Sequence, residues 1–429
     1  MTLNWLLIIR LGLVQMALGA VVVLTTSTLN RLMVVELALP AVLPGALVAL
    51  HYGIQITRPN WGFLSDAGGH RTRWIIGGMA ALAFGAYGAA QGVVLFETSY
   101  AVGLTLSLLA YALIGVGVGA SGTSLLALLA TATAPHRRPA AATITWLMMI
   151  AGIAVTAGSV GAFLDPYTPQ LLLKIVGIVC TGAVALTTLA VWGIERGVKA
   201  PARHSDTPRL IDGLREVWAE PEARFFTIFV FLSMTAYFMQ ELILEPYAGL
   251  VFGFTPGQST SLSGAQNGGV FLGMLTVGIA ATGLRIGSLR HWVVAGCLGS
   301  AVSLTVITGL GQVGFAKALI GAVVTLGFFN GMFAVAAIGS MMALAGKGRG
   351  AREGTRMGLW GAAQAIAAGF GGLVGAAAVD VMRVASGQDA AAFGAVFLAE
   401  AALFVLAALM AMRVIEHRQG RNAIIVLGE

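Results

Sequence analysis

Residues Thr28–Trp74 read TLNRLMVVELALPAVLPGALVALHYGIQITRPNWGFLSDAGGHRTRW. The stretch opens where one apolar run ends, turns back through a second, and closes on a glycine-rich loop holding an acid and several cationic or titratable groups. Asn30, Arg31 and Glu36 stand at one end of the second run, and Arg58, Asp66, Arg71 and Arg73 at the other. Between these brackets lies an apolar core of about 20 residues, which at a rise of about 1.5 Å per residue crosses roughly 30 Å of hydrocarbon.

Composition extends this reading to the whole chain. It is 58% hydrophobic and 10% charged with a mean hydropathy of +0.88, whereas a soluble domain carries about 25% charged residues. That describes a polytopic, all-α membrane protein. The 58 glycines among 429 residues suit membrane helices, where small residues permit close packing that no hydrophobic force drives. The net charge of +7 does not point to nucleic acid, because the cations sit in short loops between apolar runs. Cys180 and Cys297 both fall inside apolar runs, so they support neither a disulfide framework nor a zinc site.

The hydrophobic pattern predicts twelve spans, at 5–29, 38–58, 74–95, 100–130, 142–163, 170–194, 222–245, 260–283, 292–312, 315–346, 357–382 and 390–413. With the even-numbered connections and the C-terminal tail on one side, that side collects 20 of the 25 Lys and Arg residues. The other side keeps Arg31, Lys174, Lys317 and Arg383, and Arg10 lies within the first span. The positive-inside rule then predicts that both termini are cytoplasmic. The longest polar interval, Glu195 to Arg224, holds three prolines. It separates an N-terminal six-helix bundle (1–194) from a second one (222–415), by way of a cytoplasmic linker (195–221) and ahead of a tail (416–429). Within the linker, Leu210, Ile211, Leu214, Val217 and Trp218 share one helical face behind Thr207 and Pro208, which predicts a short surface helix.

Two segments recur at half-chain spacing. Arg138–Trp146 aligns with Arg352–Trp360 at an offset of 214, and Arg73, Trp74 and Gly78 align with His291, Trp292 and Gly296 at 218. This points to duplication of a six-helix unit.

Polar residues inside spans are costly, so each is a candidate site. Arg10 and Gln15 interrupt the first span, with snorkelling as the plain alternative for Arg10. Glu241 and Glu245 share a face at the outer end of the seventh, just before Pro246. They read as proton or cation sites or as an interfacial acidic pair. Gln266, Asn267, Asn330, Gln364 and Glu400 either line a cleft between bundles or make interhelical hydrogen bonds. No phosphate-binding loop, membrane-prenyltransferase acid motif or Ser-His-Asp set is present, which predicts that the protein is not an enzyme.

The loop Gly62-Phe-Leu-Ser-Asp66-Ala-Gly-Gly-His-Arg71 resembles the cytoplasmic loop signature of the major facilitator superfamily. Its glycines permit a tight turn, and Asp66 can accept from a helix N-terminus or a facing arginine, making Gly62, Asp66, Arg71 and Arg73 a candidate gate. Arg10–Gln15, Thr28–Leu37, Gly115–Thr123, Leu242–Gly249 and Gly358–Gln364, in this order and spacing, resemble the PucC family of phototrophic bacteria. The resemblance implies a factor in the inner or intracytoplasmic photosynthetic membrane that handles bacteriochlorophyll or a chlorophyll-type precursor. It also implies light-harvesting antenna polypeptides or the bacteriochlorophyll synthase as partners. A proton-coupled facilitator for a small amphipathic solute is the alternative, and the scarcity of intramembrane acids weighs against it. A bacteriochlorin would need one axial donor for its magnesium. His51 is the one histidine inside a predicted span, and Gly45 and Gly53 thin the helix around it. A histidine satisfied by a neighbouring glutamine or carbonyl is the plain reading, and Asn30, Gln15, Gln55 and Glu245 are competing donors.

Overall fold

The computed structural model describes residues 3–58, 60–61, 70–134, 137–197, 218–284, 286–345 and 353–415. Among them every regular element is helical. In chain order the long helices are α1 Trp5–Glu36, α2 Val42–Thr57, α3 Arg71–Phe96, α4 Tyr100–Ala132, α5 Arg138–Phe163 and α6 Pro169–Val191. There follow α7 Pro221–Phe252, α8 Pro256–Val277 with a π-helical extension Gly278–Gly283, α9 Leu289–Val313, α10 Leu319–Ala345, α11 Glu353–Ser386 and α12 Asp389–Val414. Ten of them are long and apolar enough to cross a membrane among the described residues, α2 and α8 being the two outside that set. Helix α2 is short, and α8 opens on a polar run from Gln258 to Ser263.

Local chemistry sets the ends. Asn4 caps α1 by accepting from the Leu7 N–H at 2.9 Å, and Thr168 caps α6 ahead of Pro169 by accepting from Leu171 at 3.1 Å, the Asn and Thr-Pro starts that helices favour. Gly314 ends α9 in the left-handed region at φ 67°, where a side chain would be strained.

Three expectations change. The first helix does not stop at Leu29. It runs on to Glu36 through two π-helical turns, so Asn30 and Arg31 lie inside a buried helix, not in a connection. The apolar Leu32–Val35 carries the helix forward, and partners described below satisfy the polar groups. The second span begins later than expected, at Val42, because Ala38 adopts φ 50° and Pro40 disfavours helix at the residue before it. The seventh helix continues through Pro246 to Phe252. The loop glycine Gly62, Asp66, and the linker helix apart from Trp218 lie outside the described residues.

The chain forms two compact units. The first joins α1 to α6 with Glu241–Asn267 and Gly372–Asp380, and the second holds the remainder of α7, α8 and α11 with α9, α10 and α12. In the first, α3 and α4 pack at backbone distance: a Cβ on Gly78 would stand 2.4 Å from the Ser121 nitrogen, and one on Gly117 2.4 Å from that of Leu82. In the second, a Cβ on Gly273 would meet the Phe328 carbonyl at 2.0 Å. At these crossings glycine is obligatory, the close approach that small residues provide in membranes.

Candidate functional site

A buried polar knot surrounds the π-turns of α1, wholly within the first unit. A π-turn inserts an extra residue and takes backbone groups out of the regular i to i+4 ladder. The turn Leu24–Thr28 places four successive hydroxyl residues, Thr25 to Thr28, in the interior. The Thr25 carbonyl accepts from the Tyr111 hydroxyl of α4 at 2.8 Å.

Helix α7 answers from the other side. Proline has no N–H, so Pro246 leaves the carbonyl four residues before it, that of Leu242, without its helical donor. Asn30 supplies the missing bond: its Nδ2 donates to the Leu242 carbonyl at 2.6 Å. The helix therefore passes through a proline because a side chain of another helix satisfies it, as buried backbone in hydrocarbon requires. One turn away, the Ser27 hydroxyl donates to Glu245 Oε1 and lies 2.8 Å from Ser263 of α8. The second carboxylate oxygen, Oε2, is buried without a hydrogen-bond partner. Glu241 is half-buried with Thr26 in reach of its carboxylate.

Arg31 completes the knot. It is 2% exposed, and its guanidinium bonds Glu36 at 2.5 Å and the Phe254 carbonyl at 2.7 Å. The Phe254 carbonyl lies just beyond the C-terminus of α7, which closes on Gly253 at φ 69°. Gly249 makes room, since a Cβ there would come within 3.3 Å of Arg31 Nη2. Outside the helices, Tyr167 has its hydroxyl pKa pushed up to about 12 by burial and by the carboxylates of Glu97 and Glu36, against the opposing charge of Arg31.

The remaining candidates fall elsewhere. His51 is buried and its Nε2 lies 2.9 Å from Gln55 Nε2, while the ring also bonds the backbone at Val48. Gln55 in turn accepts from Arg58. Gln15 is buried in α1. Arg10 donates to the Leu189 and Trp192 carbonyls at 3.2 and 2.7 Å, so it caps the C-terminal end of α6, where a cation meets the negative end of the helix dipole. Asn267 bonds the Ser263 carbonyl of its own helix at 3.0 Å beside a half-buried Gln266. In the second unit, Asn330 accepts from Ser300 at 2.8 Å, Gln364 is half-buried, and Glu400 is 0% exposed with neither oxygen partnered. Of the candidate gate, Arg71 ties α3 to α4 through the Ala127 carbonyl at 3.2 Å and the Thr131 hydroxyl, and Arg73 is exposed.

Sequence reasoning missed Ser27, Ser263 and Tyr111. The run TTST inside an apolar helix, with a proline near the paired acids of a later one, was the signal available. The knot thus offers one orphan carboxylate oxygen, a cation and a ring of hydroxyls, enough to receive a ligand that presents one Lewis-acidic or hydrogen-donating centre.

A family model described as "PUCC protein" matches residues 28–419. A Rhodobacter capsulatus protein named "Bacteriochlorophyll synthase 44.5 kDa chain" is 71% identical over 418 residues, 97% of each chain. "Protein PucC" of Cereibacter sphaeroides is 29% identical over 381 residues, 84% of this chain and 81% of its own. Among solved structures, a D-xylose-proton symporter superposes with a TM-score of 0.71 at 15% identity, covering 97% of this chain and 99% of its own. The nucleoside transporter NupG gives 0.68 at 14%, with 96% and 100% covered. Both are major facilitator transporters, and at such identities they show the fold alone.

Proposed function

We propose, because the chain belongs to the PucC family, that it is a membrane factor which binds bacteriochlorophyll or a precursor and hands it on during pigment synthesis and light-harvesting complex assembly. The observation that carries this reading is the 71% identity, over 97% of both chains, to a relative named as a chain of bacteriochlorophyll synthase. That chain, family and fold make this a photosynthesis-related membrane protein of major-facilitator architecture. Beyond this, we read all twelve helices as crossing the inner or intracytoplasmic membrane, with both termini cytoplasmic. We read the role as accessory to a synthase, not catalytic in itself, with the synthase or the antenna polypeptides as recipients.

Bound pigment would supply a Lewis-acidic magnesium, which would take an oxygen or nitrogen donor from the protein. The residues present fit that requirement at Glu245, whose Oε2 is buried and unpartnered. His51 fits less well, because a metal would have to displace Gln55 or Val48 from its ring. The test is the absorption spectrum of the full-length protein purified in mild detergent from a phototrophic host. Near-stoichiometric near-infrared bands are expected from the parent and from His51→Phe, and lost or shifted bands from Glu245→Ala at equal membrane abundance. A parent protein free of pigment overturns the reading, whereas loss confined to His51→Phe moves the ligand to the histidine.

Glu400 supports a second reading, a proton-coupled transporter, because a fully buried carboxyl with no partner is what a proton carrier needs. Solute-driven proton uptake by pigment-free proteoliposomes, abolished in Glu400→Gln, would favour it.

A further inference from the structure

The core of the second unit holds polar groups that their neighbours leave unanswered. Glu400 of α12 is fully buried, and neither carboxylate oxygen has a hydrogen-bond partner among the described residues. Asn330 of α10, buried as deeply, accepts from the Ser300 hydroxyl of α9 at 2.8 Å, while its Nδ2 has no partner among those residues. Helix register brings these groups to one level. Gln312 and Thr308 of α9 donate to the Ala390 and Gly394 carbonyls of α12 at 3.0 and 3.4 Å, an antiparallel register that sets Glu400 opposite Val302, within a turn of Ser300. Helix α9 runs against α10 as well, since Ser300 meets Asn330 and a Cβ on Gly296 would lie 2.6 Å from the Phe333 nitrogen. Phe333 of α10 in turn packs edge-on against Phe404 of α12, with ring centroids 6.0 Å apart. Asn330 and Glu400 lie one turn before these two rings on helices that run the same way, so each shares a helix face with its ring. Ser300, Asn330, Glu400 and both rings belong to the second unit.

The packing itself does not call for a polar cluster at this level, because the first sequence repeat does without one. At every offset from 214 to 218, the positions matching Ser300, Asn330 and Glu400 fall within 82–86, 112–116 and 182–186, and each holds glycine or an apolar residue. There, in the first unit, a Cβ on Gly85 would meet the Ala110 carbonyl and the Ile114 nitrogen at 2.9 Å, so α3 and α4 join with glycine against backbone. The second repeat gives up apolar contact for an acid, an amide and a hydroxyl. A buried carboxylate without a counter-charge is among the costliest groups in hydrocarbon. Something that Glu400 binds must offset that cost.

We infer that Glu400, Asn330 and Ser300 form a site for one alkali-metal cation, which ties α9, α10 and α12 together. Charge sets the valence. Glu400 supplies one negative charge, and no group of three His, Cys, Asp or Glu residues occurs among the described residues. A monovalent cation leaves the site neutral, whereas a divalent one would leave a net charge in an apolar core. The donors are hard oxygens, two from the carboxylate and one from the amide, a set that suits alkali ions and not softer metals. Turned over, the Asn330 amide presents its oxygen to the site while its Nδ2 donates to Ser300. A proton on Glu400 would remove the charge but leave the amide unused, and a cation uses both. The site takes the carboxyl of the transporter alternative and gives it a different ligand. It lies in the other unit from the polar knot and does not rest on the pigment reading.

The test is equilibrium binding of radioactive sodium, or of rubidium standing for potassium, to the full-length protein in nanodiscs, with N-methylglucamine chloride holding ionic strength constant. The parent should bind one of these ions saturably, and its thermal midpoint should rise with occupancy. Glu400→Gln, which keeps the shape and removes the charge, should abolish both the binding and the rise. Ser300→Ala removes the partner that orients the amide and should weaken binding by about 10- to 100-fold, and Asn330→Ala should weaken it at least as much. A parent that binds neither ion saturably overturns the site. So does binding that survives Glu400→Gln, or a midpoint that N-methylglucamine raises as much as sodium and rubidium do. Should Glu400→Gln not accumulate in the membrane, Ser300→Ala and Asn330→Ala carry the comparison, and parental affinity in both overturns the assignment.

Discussion

Asn30 and Pro246 form a pair whose meaning lies in neither residue alone. Proline removes a donor from α7 and Asn30 returns it from α1. Asn30→Ala should therefore strand the Leu242 carbonyl in a buried setting, at a cost of about 1–2 kcal/mol. In a Pro246→Ala background the alanine N–H restores the helical bond, and the same substitution should cost far less. Thermal midpoints of the four proteins of this cycle in one detergent check the claim, and equal penalties in both backgrounds would refute the pairing. At this scale the sequence was partly legible. Glu245 stood out as an acid at the end of an apolar span, and Asn30, Arg31 and Glu36 as polar groups bracketing one. That they meet was hidden, because contacts across more than 200 residues depend on helix packing and not on spacing. Arg10 illustrates the same limit: its position within the first span suggested snorkelling, whereas its guanidinium finds the terminal carbonyls of α6.

At the scale of elements, glycine count says little and glycine placement says much. Gly117 lies against the backbone of α3, with a Cβ position 2.4 Å from the Leu82 nitrogen, so Gly117→Leu must push two helices apart. Overpacking of this kind costs about 1–3 kcal/mol or more, and reduced membrane abundance with a lowered thermal midpoint is expected. Gly53 has nothing within 4 Å of its Cβ position, and Gly53→Ala should be neutral or stabilising by about 0.5–1 kcal/mol from helix propensity. Matching losses for the two variants would count against the packing argument. Helix positions themselves were readable from hydropathy, since every expected span overlaps a helix. Ends were less so. The first helix overran its expected stop because a π-turn absorbs polar residues without breaking the helix, and hydropathy carries no sign of that. Likewise, Glu195, in the short 3-10 turn Ile194–Gly197 that follows α6, caps α3 by accepting from the Arg71 and Thr72 N–H groups at 2.7 and 3.2 Å, a bond no local pattern announces.

For the whole molecule, the distribution of cations predicts an orientation that the helices by themselves leave free. Twelve successive spans would alternate in direction, so fixing one connection would fix all. The connections expected on the cytoplasmic side and the tail hold 20 of the 25 Lys and Arg residues, including Arg137, Arg290 and Arg413, against Arg31, Lys174, Lys317 and Arg383 opposite. Short loops with this bias are retained on the cytoplasmic side. Burial now removes Arg31 from the count, because it is 2% exposed and held by Glu36 and the Phe254 carbonyl inside the fold, so the contrast between the two sides sharpens. Fusions of a periplasm-active phosphatase and a cytoplasm-fluorescent protein after Arg137, Arg203 and Arg290 should fluoresce, whereas fusions after Thr98, Tyr167 and Gly387 should show phosphatase activity. Phosphatase activity at Arg203 would invert or break the array at its middle, and with it the expected cytoplasmic placement of both termini.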